Sequence, residues 1–393
     1  MGVSIWVRLK RDVAGVDPLD VDGKLLAKAI NILDGVAPTL HVRPLKPDGA
    51  GGGTYPLPIR LGGILAALLI LGFQADPASG ASQAPMAEPV SFRNGNITLS
   101  GTLYRPDGPG RHPGVVAFHS ANGGTRDFHA YRHLATALPA VGFAVLLFDR
   151  RGSGKSTGDF GTATFQDLAA DGMAGITLLK SRPDIDPTRL GVWGISQGGW
   201  LGPLAATMST DVAFVVSVSG PGVSPAAQMD YAAAHALRAA DQGPAVVDRA
   251  LRVRAVVNDY FRGRVTNRDA EQAIATIRSE PWFGQVFLPN SGSLPPNPKR
   301  TTWYVDMDYD PLQVLSRVRV PIAFFFAEAD AWVPVEESIT NIRRATGPHS
   351  ALMIAQIPQT DHLMETGTPD AGGPTSAQYV TRLIEWLRQQ VTG

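Results

Sequence analysis

The chain of 393 residues contains no cysteine. That one absence excludes disulfides, a cysteine nucleophile and thiolate-bound metal together. Charge of one sign is also missing: 35 Lys and Arg balance 35 Asp and Glu. Binding to nucleic acid usually draws on a basic face, and nothing in this balance suggests one, so no nucleic-acid partner is expected. Charged residues make up only 18% of the chain against 44% hydrophobic. That ratio suits a large buried core.

A long hydrophobic run is absent too. Leu61 to Phe73, preceded by Arg60, is an apolar stretch that falls short of the roughly 20 residues of a membrane-spanning helix. Its length suits the apolar core of a secretion signal. Small residues follow from Ala78 to Ala84, with Ser79 and Ala81 suited to positions −3 and −1 of a cleavage site. Residues 59–84 therefore read as a signal peptide or signal anchor. Export to the periplasm or the outside is expected, with membrane contact only through that segment. The plain structural alternative is a buried core helix. The run begins far from Met1. A start codon assigned too early would leave residues 1–58 as an extension; a signal anchor with an N-terminal tail is the other explanation. Gly49-Ala50-Gly51-Gly52-Gly53 and several prolines predict little packed structure in 1–58, and residues 75–89 read as an Ala/Ser/Pro-rich linker.

Patterned sequence starts near Val90. Ile97 to Tyr104 alternates after Asn94-Gly95, a hairpin signal. Gly114 to His119 and Phe143 to Asp149 are continuous apolar runs, as strands covered on both faces require. Tyr131 to Val141 and Phe165 to Lys180 read as helices. Val212 to Ser219, Val320 to Phe326 and Ser350 to Ile357 read as further strands, and Gln378 to Gln390 as a terminal helix. Strands alternating with helices predict an α/β fold with a mostly parallel, doubly wound sheet. Helical spacing from Ala226 to Ser279, then an aromatic, Pro-rich segment, breaks the rhythm. Residues 221–310 are therefore read as a helical cap inserted between two parts of one core, 85–220 and 311–393.

Gly194-Ile195-Ser196-Gln197-Gly198 carries the chemistry. It is G-x-S-x-G, with a buried strand before it and a helix from Gly199 to Met208 after it. A serine there sits on a tight strand-to-helix turn, its hydroxyl lifted clear at a helix N-terminus. Such a serine needs a base, and the base needs an orienting carboxylate. The chain order on this kind of sheet is serine, acid, histidine. Of His235, His349 and His362, the last stands in a loop beyond a strand, and is the expected base. Asp330 follows the strand ending at Phe326 and is the expected acid, with Glu328 and Asp361 as fallbacks; a helix-capping aspartate is the plain alternative. The oxyanion needs two backbone donors. Gln197 supplies one, and Ser120 or Ala121 the other, with His119 shaping that loop. Trp200, Trp282, Trp303 and Trp332 suggest an apolar substrate pocket, although packing within the cap explains aromatics equally well.

These ordered motifs resemble the α/β-hydrolase superfamily, in particular its esterase and peptidase branches with a helical cap. The resemblance covers residues 90–393 and rests on Phe118-His119-Ser120, Asp149 to Ser156, Gly194 to Gly198, Asp330 to Pro334 and Asp361-His362. It implies hydrolysis of a small-molecule ester, or secondarily an amide or peptide, by a Ser-Asp-His triad without metal or cofactor. A thioesterase and a non-catalytic binding protein are the remaining alternatives. The oxyanion loop departs from both the His-Gly and His-Gly-Gly-Gly forms of the family. Two look-alikes are set aside. Asp306-Met307-Asp308-Tyr309-Asp310 lacks the glycine and distal glutamate of a calcium loop, and reads as a solvated segment starting a helix at Pro311. Gly152-Ser153-Gly154-Lys155-Ser156 lacks the spacing of a phosphate loop.

Overall fold

The computed structural model describes residues 4–8, 39–43, 86–289, 291–347, 351–367 and 373–392. The chain divides into two units, 1–81 and 82–393. In the first, β1 (Ser4–Arg8) pairs antiparallel with β2 (Thr39–Arg43). Glycine-rich composition predicts little packing in residues 1–58, and apart from these two strands that region lies outside the described residues. The apolar run at 61–73 and the small residues after it lie outside the described residues.

The second unit opens with a hairpin of β3 (Met86–Asn94) and β4 (Ile97–Arg105). Gly95 turns it at φ +59°, a conformation that glycine adopts freely. Strand β3 starts inside the segment read as linker to residue 89, and this corrects that boundary. Pro89 is tolerated because β3 lies at the sheet edge.

Next come β5 (His112–Phe118), α1 (Arg132–Ala137), β6 (Ala144–Phe148), α2 (Phe165–Lys180), β7 (Ile185–Ile195), α3 (Gln197–Met208) and β8 (Phe214–Val218). Helix α1 is shorter than expected: Pro139 starts a separate 3₁₀ turn that Gly142 closes at φ +93°. Helix α2 begins on a reciprocal capping pair, Thr164 with Asp167. Four helices follow β8: α4 (Pro225–Ala239), α5 (Pro244–Phe261), α6 (Asn267–Ala275) and α7 (Thr302–Asp306). The chain returns to the sheet through α8 (Pro311–Leu315), β9 (Ile322–Ala327), α9 (Val335–Thr346), β10 (Leu352–Ile357) and α10 (Ala377–Val391).

Strands β3 to β10 form one sheet in the order β10-β9-β8-β7-β5-β6-β4-β3. Strand β4 runs antiparallel to β3 and β6, and the other pairs are parallel. The mostly parallel α/β sheet is the one that the strand–helix alternation predicts. Both faces are covered. One packs Leu168, Ile176, Leu201 and Ile342 from α2, α3 and α9. The other packs Leu134, Tyr379, Leu383 and Trp386 from α1 and α10. Helices α4 to α6 enclose a core of their own around Leu237, Val257, Ile274 and Trp282.

From β5 the chain first steps to β6, then returns to β7 on the other side. The sheet order therefore reverses between β5 and β7. Ligands bind open α/β sheets beyond the strand C-termini at such a point. Those C-termini lead into the Ser120 loop and into Ser196.

Candidate active site

Ser196 adopts φ +56° and ψ −115°, a strained backbone that costs on the order of 1–3 kcal/mol unless its surroundings enforce it. They do. The Ser196 amide donates to the Val218 carbonyl at 2.8 Å, and the Gly199 amide to the Ser196 carbonyl at 2.8 Å. The flanking glycines are required by close backbone approach. A Cβ on Gly194 would lie 2.1 Å from the Gly198 carbonyl oxygen, and one on Gly198 would lie 2.6 Å from that of Phe118.

Asp330, in the loop after β9, is 2% exposed. Its Oδ1 accepts the Trp332 amide at 2.8 Å and the Val333 amide at 3.0 Å. Its Oδ2 stands 2.8 Å from His362 Nδ1. A carboxylate there favours the tautomer with the proton on Nδ1, leaving Nε2 as the basic nitrogen. The His362 loop is held in turn. Ser219 Oγ donates to the His362 carbonyl at 2.8 Å. Gln359 and Met364, on either side, take φ +55° and +61°. The fallback acids do other work. Glu328 is exposed, and Asp361 turns the loop by accepting the Leu363 and Glu365 amides at 3.0 and 2.9 Å. His235 sits in α4 beside Tyr231, and His349 lies outside the described residues.

Gln197 is the first residue of α3, where backbone N–H groups have no partner within the helix. The loop after β5 separates the two other candidate donors. The Ser120 amide donates to the Tyr131 hydroxyl at 2.9 Å, and that hydroxyl donates to the Gly123 carbonyl at 2.7 Å. Ser120 N–H is thereby occupied, and among the described residues the Ala121 amide of this pair has no acceptor. His119 Nε2 lies 2.5 Å from the Phe148 carbonyl. Burial pulls its pKa down to about 4, so it is a neutral donor that shapes the loop.

Ser120, Ala121, Ser196, Gln197 and His362 open onto one cavity of about 610 Å³. Trp200, Trp303 and Trp332 line it, with Phe165, Phe287 and Met229. Trp282 does not, and this is a correction: it is buried in the cap core, packed among the cap helices. Asp306 also lines the cavity. Sequence reasoning passed over it because its D-x-D-x-D segment reads as solvated. In the fold the three aspartates part company. Asp308 pairs with Arg262 at 2.6 Å, and Asp310 accepts the Leu312 amide at 2.9 Å to start α8. Asp306 is buried against the Phe165 amide at 3.2 Å, and burial pushes its carboxyl up to about 6. In the other look-alike, the Asp149 carboxylate gathers Arg126 and the Lys155 amide, each within 2.8 Å.

A family model described as serine aminopeptidase, S33, matches residues 113–281. An uncharacterised protein of Mycobacterium tuberculosis is 35% identical over 120 residues, covering 30% of this chain and 41% of that protein. The chain thus spans less than half of that relative. The quorum-quenching protein AidA of Acinetobacter baumannii is 28% identical over 276 residues, covering 67% of this chain and 84% of that one. An esterase of Pyrococcus furiosus shares the fold, with a TM-score of 0.52 and 18% identity over 78% of this chain and 91% of its own.

Proposed function

Because the chain belongs to the α/β-hydrolase superfamily, we propose that it is a serine hydrolase cleaving carboxylic esters through an acyl-enzyme. The observation that carries this reading is the Asp330–His362 pair at 2.8 Å, with His362 opening onto the same cavity as Ser196. Ser196 Oγ attacks the ester carbonyl while His362 Nε2 takes its proton. Asp330 holds the imidazole and balances the imidazolium charge. The Gln197 and Ala121 amides receive the oxyanion. His362 then hands the proton to the departing alcohol. Water, deprotonated by the same nitrogen, frees the acid and restores Ser196. Every group is a side chain or amide of this chain, so the cycle uses neither metal nor cofactor.

A fluorophosphonate probe tests the nucleophile. Wild type is expected to be labelled and Ser196→Ala not; equal labelling of the two would sink the reading. The serine aminopeptidase model over residues 113–281 favours a second reading, amide or peptide hydrolysis by the same groups. Comparing p-nitrophenyl esters with aminoacyl p-nitroanilides separates the two. We propose faster ester turnover, and a faster anilide would reverse the order. Export is proposed on the 61–73 apolar run. The mass of the mature N-terminus checks it, and an intact Met1 would count against cleavage.

A further inference from the structure

Arg150 is 7% exposed. Its Nη1 donates to two carbonyls of the loop after β5, Ser120 at 3.1 Å and Ala121 at 2.9 Å. Its guanidinium carbon lies 3.4 Å from the centroid of the Phe160 ring, which also lines the cavity. Its own amide donates to the Gly124 carbonyl at 2.8 Å. Among the described residues no carboxylate pairs with Arg150, and its Nε has no hydrogen-bond partner. A buried cation without a counter-ion is expensive, so its place beside the loop calls for a reason.

The peptide bond supplies one. In a trans peptide the C=O and the N–H point in opposite directions. The Ser120 carbonyl and the Ala121 N–H share one plane. Drawing that carbonyl toward Arg150 turns the Ala121 N–H away from the guanidinium. The second bond, to the Ala121 carbonyl, fixes the next plane as well. Tyr131 holds the Ser120 amide on the other side, so the peptide cannot rotate about either flank without losing a hydrogen bond. A charged donor on the carbonyl also polarises the peptide and strengthens its N–H as a donor.

We infer that Arg150 is a positioning residue that aims the Ala121 amide at the oxyanion formed on Ser196 attack. This rests on the reading of Ser196 as nucleophile. The unpaired guanidinium adds positive charge beside a site where negative charge develops only in the transition state. Its effect therefore falls on kcat rather than on substrate binding.

The test uses the full chain with p-nitrophenyl butyrate as substrate and butylboronic acid as a mimic of the tetrahedral adduct. Removing one oxyanion donor costs about 100- to 1,000-fold, so a donor merely left unaimed should cost about 10- to 100-fold in kcat. Arg150→Met is expected to show that loss with KM nearly unchanged, and to weaken butylboronic acid by a similar factor. Arg150→Lys, able to reach one carbonyl, is expected to recover part of both. A folded Arg150→Met enzyme with wild-type kcat, or a loss carried by KM alone, overturns the inference. If the Met variant does not fold, the Lys variant decides by the same kcat-against-KM split. Ser196→Ala separates the two ideas. Activity surviving in it defeats the nucleophile, whereas its loss beside an unaffected Arg150→Met defeats only the role of Arg150.

Discussion

His362 Nδ1 lies 2.8 Å from Asp330 Oδ2 and 3.0 Å from Oδ1, and Oδ1 also receives two backbone amides. That carboxylate has acceptor work on both oxygens. An asparagine there keeps the shape but must turn an NH₂ toward either the imidazole or the loop amides. Asp330→Asn should therefore lower kcat about 10⁴-fold, the effect of forcing the wrong histidine tautomer, with KM nearly constant. Glu328→Gln, at an exposed side chain on the same loop, should leave kcat at the wild-type level. Ester kinetics on the two variants check this.

The two cap tryptophans are expected to fail in different ways. Trp303 lines the cavity. Trp303 also packs half-buried against the cap core, so Trp303→Ala should raise KM for apolar esters and lower the melting temperature by less than Trp282→Ala. Trp282 is 6% exposed within the cap core. Trp282→Ala should destabilise by about 3–5 kcal/mol, the usual cost of truncating a buried large aromatic. Thermal melts and Michaelis curves on both variants separate a wall residue from a packing residue.

Much of the site was legible in the sequence because the sheet does the placing. Continuous apolar runs mark β5, β6, β8, β9 and the second half of β7, parallel strands present their C-termini on one side, and Ser196, Asp330 and His362 each follow such a strand or lie in the loop beyond one. What stayed hidden depends on contacts between segments far apart in the chain. Trp282 and Trp303 share one aromatic segment, and only the packing of α4 to α7 turns one inward and the other to the cavity. Ser120 and Ala121 are equivalent on paper. The Tyr131 hydroxyl and the Arg150 guanidinium, reaching in from later in the chain, distinguish them. Asp306 hid in an acidic segment because burial is not a property of local composition.

Acid should destabilise the fold through two histidines. Burial pulls His119 and His133 down to about 4, below the usual value of about 6.5. The unfolded chain therefore binds protons between those values that the folded chain refuses. Stability is full above pH 6.5 and falls as the pH drops toward 4, by a few kcal/mol at most for each histidine. His133 packs edge-on against Trp193 and Tyr379, at 5.7 and 5.4 Å between ring centroids, a place phenylalanine can take. His133→Phe should flatten the loss of stability between pH 6.5 and 4. Denaturant melts at several pH values test it, and an unchanged slope would rule out His133 as a source of acid sensitivity.

Asp306 titrates in the opposite sense and links stability to substrate choice. Its carboxyl is pushed up to about 6 by burial, so the folded chain takes up a proton near pH 6 and the unfolded chain only near 4. Ionisation at neutral pH then opposes folding by at most about 3 kcal/mol, and the penalty fades as the pH falls from 6 toward 4. Asp306→Asn removes the charge and can still accept the Phe165 amide. It should raise the melting temperature at pH 8 and change it little at pH 4. The same carboxylate lines the substrate cavity. Above pH 6 it should repel an ester whose acyl chain ends in a carboxylate, lowering kcat/KM relative to a neutral chain of equal length. Asp306→Asn should narrow that gap. Paired kcat/KM values for the two esters at pH 8 decide it: an equal ratio in wild type and variant would show that Asp306 anchors the cap to α2 without reading the substrate.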